Sequence, residues 1–310
     1  MTPLSTAKLV IFDYSGALSL EAPQFGRPAN LVRALAESGL AKLGVATPET
    51  FWGKIVGPTW TLGSTTAIGY KCVMAQRIEA LGLAPGVAGA EIAATSSRFV
   101  DLYLDHSRID PRWRPMLENL AGDPGACVVI ATDHYAEATE TIIRYLHSWD
   151  IPARKTGEEA EPRFPAGNGR RPPFEKGETA PDSSVKNREL SPLFIANSAD
   201  IGFWKADRRF WETVRLQLAI TAIRSVLLID DFGFNEGQGD SYGERARVEA
   251  RQEKTLTGLE KAFQTAIETI PFFLKSGEQD REEVGAERIA ESVRRIDRFL
   301  NSGGVTNNAP

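Results

Sequence analysis

Four short runs of apolar, largely β-branched residues punctuate this chain of 310 residues, and each stops abruptly at a polar cluster. They cover residues 8–12, 126–131, 193–196 and 225–229. Apolar residues follow one another in these runs without alternation. That is the pattern of a strand covered on both faces, as in a parallel sheet flanked by helices. The clusters that end the runs are Asp13, Tyr14 and Ser15; Thr132, Asp133 and His134; Asn197, Ser198 and Asp200; and Asp230 with Asp231. Ligands of open α/β sheets sit beyond the carboxyl ends of the strands, so the four clusters are expected to meet around one site.

Between the first two runs lies a long stretch dominated by Ala and Leu at helical spacing, notably over residues 30–43, 67–81 and 90–104. It is too long for a simple crossover, so it predicts a separate helical unit that returns to the sheet near Trp113. Phe51, Trp52 and Trp60 lie in this unit, either in its own core or facing the sheet. Residues 152–192 hold seven prolines among Gly, Lys, Arg and Glu, a composition that reads as a solvated insertion, Gly169, Arg170 and Arg171 included. Beyond Asp231 the pattern is helical. Ile289, Val293, Ile296, Phe299 and Leu300 share one helix face, which predicts docking on the chain's own core or on a second copy, and residues 301–310 read as a frayed end. The expected organisation is an α/β Rossmann-like parallel sheet core from residues 1–20 and 113–255, an inserted helical cap over 21–112, and a C-terminal helical extension over 256–310.

Charge and composition exclude several classes. Lys and Arg number 36 against 41 Asp and Glu, so the chain offers no broad basic surface to displace phosphate counterions from nucleic acid. No stretch approaches the ~20 apolar residues of a membrane span, and the opening residues show no basic and apolar signal-peptide regions. Cys72 and Cys127 are isolated thiols without metal-ligand spacing. These features fit a soluble cytoplasmic protein with neither a nucleic-acid nor a membrane partner, and the C-terminal helix is the candidate contact for a homo-oligomer.

The strand-end residues carry the chemistry. Asp13 directly follows a buried strand, and Gly16 lets the backbone turn away beneath it, so its carboxylate is aimed above the sheet edge, where it is placed to cap a turn or to attack an electrophile. Thr132 offers a hydroxyl to an anion, or an N-cap to a helix over 137–146. Lys205 supplies a cation near a helix start, and Asp230 with Asp231 supplies hard oxygen donors suited to Mg2+.

Taken in order, these segments resemble the four motifs of the haloacid dehalogenase-like hydrolase superfamily of the helical-cap type. The resemblance spans roughly residues 7–20 and 113–250, with the helical stretch where that family inserts its cap. It implies that Asp13 is the nucleophile, that Thr132, Asp133 and Lys205 surround a phosphoryl group, and that Asp13, Ser15, Asp230, Asp231, Asn235 and Glu236 form the candidate Mg2+ set, Ser15 through its backbone carbonyl. The implied activity is a phosphatase acting on a small phosphorylated molecule through an aspartyl-phosphate intermediate.

One position departs from the family pattern. Phosphatases of that family carry a second Asp two residues after the nucleophile, as general acid and base; here the residue is Ser15. A hydroxyl serves poorly in that role near neutral pH, which leaves a good leaving group, a water or a cap residue such as His106 to compensate. Two alternatives follow: a phosphonatase-like hydrolase of carbon–phosphorus bonds, with Lys54 as its Schiff-base lysine, and a binding or regulatory protein that keeps the fold without turnover.

Overall fold

The computed structural model describes residues 7–158, 190–218, 220, 222–236, 244–274 and 281–302. Six parallel strands form one sheet: β1 (Ala7–Asp13), β2 (Ala126–Thr132), β3 (Ala153–Lys155), β4 (Leu193–Asn197), β5 (Ile223–Asp230) and β6 (Ile267–Pro271). Their order across the sheet is β3-β4-β2-β1-β5-β6. The chain is therefore an α/β protein with a Rossmann-like core.

Strand periodicity explains the unbroken apolar runs. Successive side chains on a strand point to opposite faces. Val10, Phe12, Val128, Ile130, Leu227 and Ile229 pack on one face against Trp113, Leu117 and Ile296. Leu9, Ile11, Val129, Ala131, Val226 and Leu228 pack on the other face against Phe210, Trp211 and Leu259. Both faces are dry, so every position of the central strands must be apolar until the strand ends.

All four expected strands are present, extended by one to three residues, and two edge strands join them. Residues 153–155, assigned from sequence to the Pro-rich insertion, pair with β4, and Ile267–Pro271, assigned to a helical extension, pairs with β5. Both are short and only partly buried, so neither shows the unbroken apolar run of a central strand. The rest of the insertion, with Gly169, Arg170 and Arg171, lies outside the described residues.

The stretch between β1 and β2 is helical. Its main helices are Pro28–Ser38, Gly57–Ser64, Tyr70–Ala80 and Gly89–His106. The single helix expected over residues 30–43 is split at Gly39, whose φ of 93° ends the first segment before a 3-10 turn at Leu40–Leu43. Tyr70, Met74 and Ile78, four residues apart, face a buried cluster with Leu31, Leu35, Phe51 and Phe99. The chain rejoins the core where Asp110 N donates to Leu18 O at 2.9 Å and Trp113 Nε1 donates to Ala17 O at 3.0 Å.

The C-terminal helix, Arg281–Asn301, turns Ile289, Ile296 and Phe299 into the sheet's own core. The apolar face expected to serve either the core or a second copy is thus consumed within the chain. None of the described helices is long and apolar enough to cross a membrane.

Candidate active site

Three adjacent central strands deliver their last residues to one sheet edge. Strand β1 lies between β2 and β5, with Phe12 level with both Ile130 and Ile229. Asp13, Thr132 and Asp230 therefore emerge side by side. Lys205 arrives from the connection after β4, between the helices Ser198–Ile201 and Arg208–Leu218. Asp133 Oδ1 accepts from Lys205 N at 2.8 Å, and Trp211 Nε1 donates to Lys205 O at 2.7 Å, so the lysine backbone is held on both sides. Its Nζ then reaches Asp13 Oδ1 at 2.7 Å and Asp230 Oδ2 at 2.9 Å. Asp133, expected beside the phosphoryl group, lines the cavity and holds the lysine backbone through this contact.

The turn after β5 is wound around its own carboxylates. Asp230 Oδ1 accepts from Phe232 N at 2.6 Å. Asp231 Oδ1 and Oδ2 accept from Gly233 N at 2.9 Å and Asn235 N at 2.8 Å. Phe232 and Gly233 both take positive φ, at 53° and 83°, to close this turn. Gly16 packs against it: with φ at 81°, a Cβ there would lie 2.3 Å from Asp231 Oδ2, so only glycine fits. Asn235, placed by sequence in the metal set, spends its side chain elsewhere. Its Nδ2 donates to Gly16 O and Phe272 O, and its Oδ1 accepts from Leu274 N, each at 2.8 Å. It is a strut between the loops after β1, β5 and β6.

The electrostatics follow from burial. Three carboxylates share one ammonium, and Asp13, Asp230, Asp231 and Lys205 are each 6% exposed or less. Burial, then repulsion from Asp230, pushes the Asp13 pKa well above the usual carboxylate range despite Lys205. Burial and Asp230 likewise push Asp231 up to about 6, against the hydrogen bonds from Gly233 and Asn235. The cluster is short of positive charge. Oxygens of Asp13, Asp230 and Asp231 lie within 4.8 Å of one another, a hard donor set whose chemistry fits a divalent cation such as Mg2+.

Above the cluster opens a cavity of about 970 Å3, floored by Asp13, Thr132 and Asp231. Ser15 and Glu236 border it and touch each other, Ser15 Oγ donating to Glu236 Oε1 at 3.0 Å. Helical-segment aromatics form the walls, Phe51, Trp52 and Trp60 among them. Lys54 is exposed and outside the lining, and His106 is exposed with Nδ1 beside Leu102 O at 2.9 Å.

Sequence reasoning gave no role to His134 or Tyr103, which meet at the cavity wall. His134 Nδ1 accepts from Tyr135 N at 2.8 Å, leaving Nε2–H to face Tyr103 Oη at 2.8 Å. Burial lowers the imidazole pKa to about 4, so it is neutral near pH 7. His134 was visible as part of a strand-end polar cluster, but nothing in one sequence pairs it with a tyrosine on a remote helix. No protein-family model matches the chain, and no curated protein matches it.

Proposed function

We propose that the protein is a Mg2+-dependent hydrolase of the haloacid dehalogenase type, acting on a small phosphate ester through an aspartyl-phosphate intermediate. The observation that carries this reading is the buried contact of Lys205 Nζ with both Asp13 and Asp230, beside Asp231, at the floor of a cavity. A buried, ammonium-paired carboxylate facing open space is placed to attack, and its surroundings are built to hold charge.

Asp13, Asp230 and Asp231 would hold the ion. When bound there, Mg2+ offsets the carboxylate charge and lets an anionic substrate approach an anionic nucleophile. Asp13 keeps one oxygen on Lys205 and Tyr14 N, which leaves its other oxygen to form a bond to phosphorus as the ester P–O bond breaks. Thr132, in the cavity lining, would hold a phosphoryl oxygen; Lys205, buried next to that lining on Asp13 and Asp230, would balance the phosphoryl charge from there. Water would then attack phosphorus as the Asp13 O–P bond breaks, both water protons leaving on dihydrogen phosphate and the Asp13 carboxylate being restored.

The test is phosphate release from a broad panel of phosphate esters with Mg2+ and with a chelator. Release that requires Mg2+ supports the hydrolase. Ser15 favours one second reading, a binding protein of the same fold. Mg2+ binding by calorimetry with no phosphate released from any ester would establish that reading in place of the first. The carbon–phosphorus alternative lacks support, because the exposed Lys54 lies outside the cavity lining.

A further inference from the structure

Resting on the hydrolase reading for its chemical step, we propose that the substrate is a phosphate monoester of a bulky phenol-type alcohol, its aromatic body held by the helical segment. Two independent features converge on this class, the cavity walls and the residue at position 15.

The walls are aromatic and interlocked. Phe51 contacts Trp52 and Phe99 with ring centroids 5.0 and 5.1 Å apart, and Phe25 meets Phe99 at 5.6 Å. Trp60 stands edge-on to Tyr135 at 5.3 Å. Such a network is preformed for a flat apolar body, and about 970 Å3 is far more room than a phosphate group needs. Among the described residues, the polar groups of this wall are the Tyr70, Tyr103 and Tyr135 hydroxyls, the Trp52 and Trp60 indole N–H groups, Glu49 and Arg247, most of them carried on aromatic rings. The Tyr103 hydroxyl is engaged with His134, and Glu49 and Arg247 border the cavity as exposed side chains. A polyol placed against the ring faces would lose more hydrogen bonds to water than these groups replace, whereas an aryl group gains from the transfer.

Position 15 points the same way. Breaking the P–O bond sends its electron pair to the leaving oxygen. An alkyl alcohol, like water, is a far weaker acid than a phenol and needs a proton donor as it departs. A phenol, with a pKa of about 10, leaves as the phenolate, its charge spread over the ring. Serine in place of an acid is therefore sufficient for the first step with an aryl ester: the Asp13 O–P bond forms, the aryl O–P bond breaks, and no proton moves in that step.

The experiment pairs binding with turnover in the full chain with Mg2+. A non-hydrolysable naphthyl phosphonate and inorganic phosphate are titrated against tryptophan fluorescence, which Trp52 and Trp60 report from the cavity wall. Kinetics are then measured for naphthyl phosphate and for glycerol phosphate. The proposal expects the phosphonate to bind ~10–100-fold tighter than phosphate and the aryl ester to exceed the polyol ester at least ~100-fold in kcat/KM. Trp52→Ala, with Trp60→Ala as a second variant should the first not fold, should weaken phosphonate ~10-fold and phosphate less than ~2-fold. Equal affinities, or a polyol ester turned over as well as the aryl one, would overturn the proposal while leaving the hydrolase intact. Tight phosphonate binding with no ester hydrolysed would uphold the aryl ligand and remove the hydrolase.

Discussion

The floor and the walls of the cavity come from different parts of the chain and obey different physics. The floor is charged, sits at the ends of strands, and is fixed atom by atom: Lys205 is held through its backbone N–H and carbonyl, and both Asp231 oxygens accept main-chain N–H groups. The walls are apolar rings on helices, fixed by mutual packing, with Phe99 touching both Phe25 and Phe51. In a floor of this kind a change of charge should cost function first, whereas a wall should accept a change of shape at modest cost. The contrast separates chemistry from selection, and substitutions in the two regions should fail in different ways.

The largest effect belongs to the floor. Asp13→Asn preserves shape and removes the attacking oxygen, so turnover should fall by roughly 10⁴-fold or more while Mg2+-loaded stability changes little. Initial rates and thermal melts on the same sample check both halves. Lys205→Met should cost roughly 10²–10³-fold in turnover. It also strips the only ammonium paired with Asp13 and Asp230 among the described contacts, so the metal-free protein should lose about 3–5 kcal/mol in urea titration. A variant that matched the wild type in both respects would show that the lysine does not organise the floor.

Gly16→Ala ranks next. It demands a strained backbone at φ 81° and drives a methyl into the Asp231 carboxylate, so about 1–3 kcal/mol of stability should be lost. Mg2+ affinity, measured by calorimetry, should fall along with it because Asp231 must move.

The legibility of the sequence divides along the same line. The floor was readable because two buried sheet faces force continuous apolar runs, and a carboxylate at the end of one, such as Asp13 after Phe12, stands out against them. The strut made by Asn235 was not legible, because its amide satisfies Gly16, Phe272 and Leu274, partners that only the fold brings within reach. Strands β3 and β6 escaped notice because an edge strand needs little hydrophobic signal, and β3 also lies beside a proline-rich stretch. In the walls, Trp52 and Trp60 were visible as aromatic residues, but one helical sequence does not distinguish a ring turned into a core from one turned into a cavity.

The smallest effects are in pH, and floor and wall respond with opposite sign. The Asp231 pKa of about 6 lies above its ordinary 3.8, so the folded cluster holds a proton that the unfolded chain releases. That contribution is complete below about pH 4 and is lost as pH rises through about 6. On the proposed reading Mg2+ would replace the proton, so the rise in Tm on adding Mg2+ should be small near pH 4 and reach several degrees by pH 8. His134 is depressed from 6.5 to about 4, so its contribution is present above pH 6.5 and is lost as pH falls through about 4. His134→Gln should flatten that acidic limb and leave the Mg2+-dependent difference unchanged, as melts across the pH range would show.

The account stands or falls on the oxygen that attacks phosphorus. Rapid acid quench of the protein turning over an aryl phosphate, followed by peptide mass spectrometry, reads it directly. A hydroxylamine-sensitive phosphoryl group on Asp13, absent from Asp13→Asn, is the predicted result. Phosphate release with Asp13 unmodified at every quench time, or with the adduct on another residue, would contradict it.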